Sequence, residues 1–170
     1  MSPAGSSAPA AGLRPFLPGD TPALAALLSA AVFELMEDDY DSDQLDIWAA
    51  PADDEEALAK RLAGALTLVA ERDGEPVGFV ALTDNRVIEL LYVSPDAAGE
   101  GIGTLLCDAI ERLAAARGAK SLTADASDTA LNFFKNRRYI ARRRNTVPRG
   151  AVWLGTTTVE KNLAEAAAAG

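Results

Sequence analysis

The sequence contains no histidine and only one cysteine, Cys107, among its 170 residues. Without histidine, neither a Ser-His-Asp or Cys-His catalytic arrangement nor a histidine-bound zinc site can form. One cysteine cannot form an intramolecular disulfide, and Cys107 lies among aliphatic residues in LLCDAI, so we interpret it as core filler rather than a reactive thiol. Any chemistry must therefore use carboxylates, hydroxyls, lysines or backbone groups.

Long apolar runs and positive charge are also scarce. No run reaches the roughly 18 apolar residues that cross a membrane, and MSPAGSSAPAAG at the start has neither the basic nor the apolar part of a secretory signal. The 16 Lys and Arg residues are outnumbered by 25 Asp and Glu, which gives a net charge of -9. This balance argues against nucleic acid and anionic membranes as partners. We expect a cytoplasmic protein, and a homodimer is compatible with the sequence.

The length and the apolar content of 49% predict one globular domain. Residues 1–11, small and Pro-rich, predict a disordered tail, and residues 164–170 predict a frayed one. Between them, residues 12–163 predict the order β-α-α-β-β-β-α-β-α-β-β, an α+β (mixed α/β) domain. Asp20 is expected to cap the first helix.

The most informative segment is VSPDAAGEGIGTLL, residues 93–106, which joins the apolar run VIELLYV to a helical segment. Its glycines at 99, 101 and 103 indicate either positive φ angles or the close approach of a bulky group. A glycine turn between a strand and a helix also presents unpaired backbone N–H groups that suit a phosphate. A tight turn without a ligand is the alternative, and three glycines before a strongly helical run favour the phosphate.

Three kinds of phosphate-binding segment compete for this pattern. A P-loop is excluded because Ile102-Gly103-Thr104 supplies no lysine. A dinucleotide or S-adenosylmethionine site, as in a methyltransferase, needs an acidic residue about twenty positions on, and Asp125 stands roughly there. However, that unit would begin in the middle of the chain, and the remainder is too short for a doubly wound sheet.

The third match is better. VSPDAAGEGIGTLL resembles the acetyl-CoA-binding segment of the GNAT superfamily of N-acetyltransferases, in which a strand like ELLYVSP leads into Gln/Arg-x-x-Gly-x-Gly/Ala. Gly101 and Gly103 match the motif glycines, whereas Ala98 replaces its opening polar residue. SDTALNFF resembles a second family segment, Asn-x-x-Ala-x-x-aromatic-aromatic, with Ser127 in the asparagine position. LYVSP, GEGIG, ALNFF, RRRN and VWLGTTTVEK look closest to the YafP-like subset of the superfamily.

The resemblance implies a mostly antiparallel twisted sheet of six to seven strands, flanked by helices and splayed at the fourth strand, which would leave its neighbour just past Val93. It also implies an acetyl-CoA-dependent N-acetyltransferase, without a metal, in which a primary amine attacks directly in a ternary complex. The alternative is a GNAT-fold module that binds acetyl-CoA or CoA without turnover, as a sensor or partner. The residues assigned to acetyl-CoA are Leu91, Tyr92, Val93, Ala98, Gly99, Glu100, Gly101, Ile102, Gly103, Thr104, Ser127, Ala130 and Phe134.

For the mechanism that the resemblance implies, Glu89 is the candidate general base, directly or through water, because it is the one charged residue in an apolar central strand. Burial there would raise its pKa towards a useful value; the alternative is a strand residue that lies at an edge or is paired structurally. Many relatives have a tyrosine that acts as general acid where Phe134 stands. Here Ser127, Tyr139 or water is the candidate acid for the leaving thiolate, and the alternative is a thiolate that leaves unassisted. Lys135 or Arg137 is a candidate contact for the 3′-phosphate of coenzyme A.

The resemblance implies a small-molecule or peptide amine as the acceptor. Tyr40, Gln44 and Trp48 are spaced by four and would share one helix face, as an acceptor pocket or as a packing face. Trp153, on a closing strand, is a further candidate for the pocket wall or a packing residue. Acidic residues crowd the same region and either face solvent or attract a cationic acceptor. They are Glu34, Glu37, Asp38, Asp39, Asp41, Asp43 and Asp46.

Overall fold

The computed structural model describes residues 10–164, which contain seven strands and five α-helices. The strands are β1 (Gly12–Pro15), β2 (Leu66–Arg72), β3 (Glu75–Thr83), β4 (Val87–Val93), β5 (Ser121–Ser127), β6 (Ile140–Arg149) and β7 (Val152–Asn162). The helices are α1 (Thr21–Leu35), α2 (Ser42–Ala49), α3 (Glu55–Ala63), α4 (Ile102–Ala116) and α5 (Leu131–Asn136). Of the predicted tails 1–11 and 164–170, all but Ala10, Ala11 and Ala164 lie outside the described residues.

The strands form one sheet in the order β1-β2-β3-β4-β5-β7-β6. Every neighbouring pair is antiparallel except β4 and β5, which run parallel and pair at Val87–Thr123 and Ile88–Ala124 before diverging. The predicted α+β sheet, splayed at the fourth strand, is therefore confirmed. The divergence begins after Ile88, however, and not past Val93 as expected, so most of β4 has an edge open towards β5.

A β-bulge interrupts β4 where this split begins. Ala81 of β3 is paired with Leu90, but the next residue, Leu82, is paired with Ile88, which leaves Glu89 as the extra residue. Ile88 consequently joins the buried cluster beneath α4, whereas Leu90 joins the cluster beneath α1, α2 and α3 on the other face. In a regular strand these two side chains would share a face. Bulges of this kind redirect a side chain, and they are frequent next to active sites.

Two details of the helical half differ from the sequence predictions. Three helices, not two, precede β2, because α2 forms within the acidic segment. Its start is capped by Asp41, whose carboxylate accepts the N–H of Gln44 while the Gln44 side chain accepts that of Asp41. Asp20 does not cap α1; its carboxylate binds the guanidinium of Arg14 at 2.8 Å and the backbone N–H of Leu17. None of the helices within residues 10–164 has the length and apolarity needed to cross a membrane.

Candidate functional site

The three glycines of the loop between β4 and α4 are required for two different reasons. Gly99 and Gly101 have φ angles of +78° and +85°, and nothing lies within 4 Å of the position that a Cβ would occupy. These two are required by conformation, since other residues rarely adopt such angles. At Gly103 a Cβ would lie 3.2 Å from the Phe133 ring, so there the reason is close packing. The loop thus meets solvent as bare backbone at the start of α4, where the first-turn N–H groups lack helical partners.

Side chains from the sheet hold this loop in place. A Cβ on Gly78 of β3 would lie 2.8 Å from Cγ2 of Ile102, so the first turn of α4 packs directly on the strand. Arg72 of β2 donates from Nη1 to Oε1 of Glu100 at 2.7 Å, which neutralises a carboxylate inside the loop. The amide dipoles at the start of α4 therefore face solvent without a competing free charge from Glu100.

A cavity of about 70 Å³, which we call the split cavity, occupies the gap between β4 and β5. Five of the residues predicted to bind acetyl-CoA line it: Leu91, Tyr92, Ser127, Ala130 and Phe134. Val93 and the loop residues 98–104 continue from there towards α4. The predicted cofactor residues thus run from the open edge of β4 to the glycine loop, except that the side chain of Ile102 is buried in the core beneath α4.

Two larger cavities adjoin the split cavity. The helix cavity, about 550 Å³, lies against α2 and α3, and the hairpin cavity, about 400 Å³, lies against the β6–β7 hairpin. Both are lined by Arg61, Arg149 and Leu154. Glu89 and Trp48 line all three cavities. The bulge therefore places a carboxylate where a narrow cavity between strands meets two cavities large enough for a small molecule.

Glu89 is exposed, so the prediction that this strand residue is buried was wrong. Its side chain is 36% exposed, and Oε2 accepts a hydrogen bond from the Thr83 hydroxyl at 3.0 Å and lies 3.5 Å from Nε of Arg61. The bulge explains the exposure, because Glu89 leaves the regular alternation of β4 and faces the opening between the strands. A solvated carboxylate at this position can still accept a proton from a bound amine.

The predicted acceptor face is only partly present. Trp48 lines the cavities, and its Nε1 is buried without a hydrogen-bond partner among the described residues. Tyr40 precedes α2, and its hydroxyl donates to the Gly155 carbonyl and accepts the N–H of Asp128. Gln44 donates from Nε2 to the Trp153 carbonyl at 2.8 Å. Tyr40 and Gln44 therefore connect the start of α2 to β7, and they line none of the three cavities.

Trp153 also differs from its predicted role. Its side chain is 57% exposed and lines none of the three cavities, whereas its neighbour Leu154 lines two of them. The seven acidic residues of the 34–46 segment are exposed and are likewise absent from the cavity walls. They therefore make no part of the walls of these cavities, and the attraction of a cationic acceptor by these carboxylates stays a prediction.

Tyr139 lies in the core, away from the cavities. It is 2% exposed, and its hydroxyl donates to Oε2 of Glu111 at 2.9 Å. Glu111 also accepts hydrogen bonds from Arg137 at 2.9 Å and from Lys161 at 2.7 Å. Burial, and then the charge of Glu111, raise the pKa of Tyr139 above its ordinary value. These contacts argue against Tyr139 as the acid, and leave Ser127 as the predicted acid that lines the split cavity.

Tyr139→Phe should therefore reduce stability and leave turnover unchanged. Removing the hydroxyl deletes one hydrogen bond to a charged acceptor, which typically costs about 1.5–3 kcal/mol of unfolding free energy. Urea denaturation measures that loss, and the rate of thiol release from acetyl-CoA measures turnover. A tenfold lower kcat at unchanged stability would restore Tyr139 as a candidate acid.

The structure also bears on the predictions for Arg137, Lys135 and Cys107. Arg137 is held by Asp108 and Glu111, so it is not free to contact a coenzyme phosphate as was expected, whereas Lys135 is exposed. Cys107 is fully buried, and burial raises the pKa of its thiol to about 12, as expected of core filler. Within residues 10–164, no group of three His, Cys, Asp or Glu side chains could hold a metal ion.

Sequence reasoning missed three residues that line the larger cavities. Arg61 and Arg149 were not considered for the site, and Asp125 was considered only as the acid of a dinucleotide site. Asp125 lines the split and hairpin cavities, and its Oδ1 accepts the Thr158 hydroxyl at 2.6 Å. Asp125 is the one charged residue of its strand, SLTADAS, which was a usable signal. For the two arginines, which come from α3 and a hairpin, no local signal existed.

The comparisons with known proteins agree with this geometry. The family described as acetyltransferase (GNAT) domain matches residues 36–155. The Escherichia coli (strain K12) protein named uncharacterized N-acetyltransferase YafP is 30% identical over 123 residues, 72% of this chain and 77% of that protein. The predicted YafP-like resemblance is thereby confirmed.

Solved structures give the same result. The GCN5-related N-acetyltransferase from Rhodopseudomonas palustris (aminotransferase, class II) is 49% identical with a TM-score of 0.87, covering 92% of this chain and 96% of that one. PaiA N-acetyltransferase from Thermoplasma acidophilum, in complex with coenzyme A, shares the fold at 16% identity with a TM-score of 0.74, covering 89% and 98% of the two chains. Family match, curated relative and fold agree with the glycine loop and the split sheet: the chain belongs to the GNAT family of N-acetyltransferases.

Proposed function

We propose that the chain transfers an acetyl group from acetyl-CoA to a primary amine by direct attack in a ternary complex. The observation that carries this proposal is the position of Glu89, where the cavity between β4 and β5 meets the two larger cavities. A donor lying along β4 and an acceptor in the larger cavities would meet at this carboxylate. Holding two reactants side by side makes the transfer effectively unimolecular.

The glycine loop and the open edge of β4 are suited to acetyl-CoA. Backbone N–H groups at the start of α4 would hold the diphosphate, as helix N-termini do for anions. The edge of β4 past Ile88 would pair with the pantetheine amides in the manner of an added strand. PaiA binds coenzyme A on this same fold.

In the transfer, the amine nitrogen attacks the thioester carbonyl carbon, so a C–N bond forms and the C–S bond breaks. Glu89 would accept the proton that the amine loses, directly or through water. A backbone N–H near Tyr92 or Val93 would stabilise the negative charge that develops on the carbonyl oxygen. The thiolate leaves with its electron pair and takes a proton from Ser127 or from water. The Ser127 Oγ accepts the N–H of Ala130 at 3.1 Å, and its own proton is free to donate.

Thermal unfolding with acetyl-CoA, CoA, NAD and S-adenosylmethionine side by side tests the donor. A ligand at 100 times its Kd should stabilise the protein by about 2.7 kcal/mol, which raises Tm by roughly 5–11 °C at this size. We expect a shift with acetyl-CoA and CoA, followed by thiol release when amines are added. A shift with S-adenosylmethionine or NAD alone would contradict the proposal. Acetyl-CoA binding without thiol release over a broad amine panel would favour the sensor, in line with Phe134 in the usual tyrosine position.

A further inference from the structure

Arg149, near the tip of the β6–β7 hairpin, is a cavity-lining cation without an acidic partner. Arg149 lines both the helix and the hairpin cavity, and its Nη1 donates to the Pro148 carbonyl at 2.9 Å. No carboxylate among residues 10–164 pairs with it. A guanidinium has five N–H donors, so most of those on Arg149 are unused.

Neighbouring arginines on the same strand are different. Arg142 pairs with Glu160 at 3.1 Å, and Arg144 binds both carboxylate oxygens of Asp128. Both lie outside the three cavities. Arg143 has no carboxylate partner among the described residues either and donates from Nε to Oδ1 of Asn145, but it lines none of the three cavities. Among the arginines of β6, Arg149 therefore alone combines a place in the cavity wall with a charge that no described carboxylate neutralises.

The carboxylates of the larger cavities are already engaged by other groups. Glu89 interacts with Arg61 and Thr83, Asp125 accepts the Thr158 hydroxyl, and Asp54 caps α3 by accepting the N–H of Ala57. None of these contacts neutralises Arg149. The cavity consequently offers a bound molecule one guanidinium that is free to form charge-assisted hydrogen bonds.

Apolar side chains make up much of the remaining wall of the helix cavity. They are Ile47, Trp48, Pro51, Leu58, Leu90 and Leu154. The cavity volumes of about 550 and 400 Å³ suit a small molecule. An acceptor here would have an apolar body between an amine at Glu89 and a second group at Arg149.

We infer that the acceptor is a small primary amine that also carries a carboxylate, bound by Arg149 while its apolar body packs in the helix cavity. This inference rests on the proposed acetyl transfer and specifies its acceptor. Arg61 lies beside Glu89 and contributes a second positive charge to the same cavities. The acceptor so described is anionic at one end, in contrast to the cationic acceptor that the acidic segment suggested.

Paired acceptors test this directly. The free amino acids leucine, methionine and phenylalanine are compared with their amides, which keep the amine and the apolar body but lack the carboxylate. Dipeptides with a free C-terminal carboxylate form a third set of acceptors. They show whether the carboxylate belongs to a free amino acid or to the end of a peptide. We expect kcat/KM to be at least about tenfold higher for the acids than for the amides.

Arg149→Gln should lower kcat/KM for the acids by about 10- to 100-fold, mainly through KM, and leave the amides within about twofold. Arg142→Gln is the matched control, since it removes an exposed arginine from the same strand outside the cavities, and it should change neither series. Equal effects of Arg149→Gln on acids and amides, or no preference for acids in the wild type, would overturn the inference.

A binding measurement separates failure of this inference from failure of the proposed function. The products, N-acetylleucine and N-acetylleucine amide, are titrated calorimetrically into protein saturated with CoA. Tighter binding of the acid, lost in Arg149→Gln, supports the carboxylate site even if turnover is absent. Turnover of the amides with no preference for either acid or amide in binding would leave acetyl transfer standing and refute the carboxylate site.

Discussion

Replacing Glu89 with glutamine is expected to lower kcat by about 10²- to 10⁴-fold, the range that a positioned general base contributes. Glutamine keeps the size and polarity of the side chain at the bulge but cannot accept a proton from the amine. Acetyl-CoA affinity should remain within a few-fold, because the donor is held by the glycine loop and the edge of β4. Stopped-flow or steady-state thiol release, together with calorimetry on acetyl-CoA, gives both quantities.

Glu160→Gln is the matched control for this variant. Glu160 lies on β7, is 34% exposed, and pairs with Arg142 at 3.1 Å, so its exposure and arginine contact resemble those of Glu89. We expect Glu160→Gln to have unchanged kcat. A Glu89→Gln enzyme with near wild-type kcat would reject Glu89 as the base and direct attention to Asp125, the carboxylate that shares two of its cavities.

Replacing Gly101 with valine is expected to weaken acetyl-CoA binding by about 5- to 30-fold. A left-handed conformation costs an L-residue roughly 1–2 kcal/mol, and this loop has a φ of +85° at Gly101. If the variant loop relaxes to a negative φ, the binding conformation must be restored on binding, and the same free energy appears in the Kd. Gly101→Asn, which tolerates the left-handed region, should keep most of the affinity.

Gly118→Val provides the control at the other end of α4. Gly118 has a φ of +92°, and a Cβ there would meet nothing within 4 Å, so the backbone strain is comparable. Gly118→Val should lose about as much unfolding free energy as Gly101→Val, but its affinity for acetyl-CoA should stay that of the unchanged protein. If Gly118→Val and Gly101→Val weaken acetyl-CoA binding equally, the effect comes from general destabilisation and not from the glycine loop.

The parts of the site that depend on local sequence were predictable. The turn glycines at 99 and 101 do adopt positive φ, and the strand and helix on either side were recognised from their patterns. The local sequence also contains the capping pattern of α2, Asp41 followed by Gln44 three residues later, but the many acidic residues around it obscured this pattern. That miss reflects a competing pattern and not a missing signal.

The environment of Glu89 was not predictable from sequence. VIELLYV has the appearance of a regular buried strand, and the bulge that exposes Glu89 depends on the register between β3 and β4. Arg61 and Arg149 reach the same cavities from α3 and from a hairpin far along the chain. Such proximity depends on how the elements pack and leaves no trace in local composition.

Amide hydrogen exchange with and without saturating acetyl-CoA tests whether the donor binds along β4 and the glycine loop. We expect acetyl-CoA to protect amides in residues 91–93 of β4 and 98–104 of the glycine loop, while the β6–β7 hairpin keeps its exchange rates. Protection confined to other segments, with unchanged exchange in both β4 and the loop, would contradict the placement of the donor between the split strands and the start of α4.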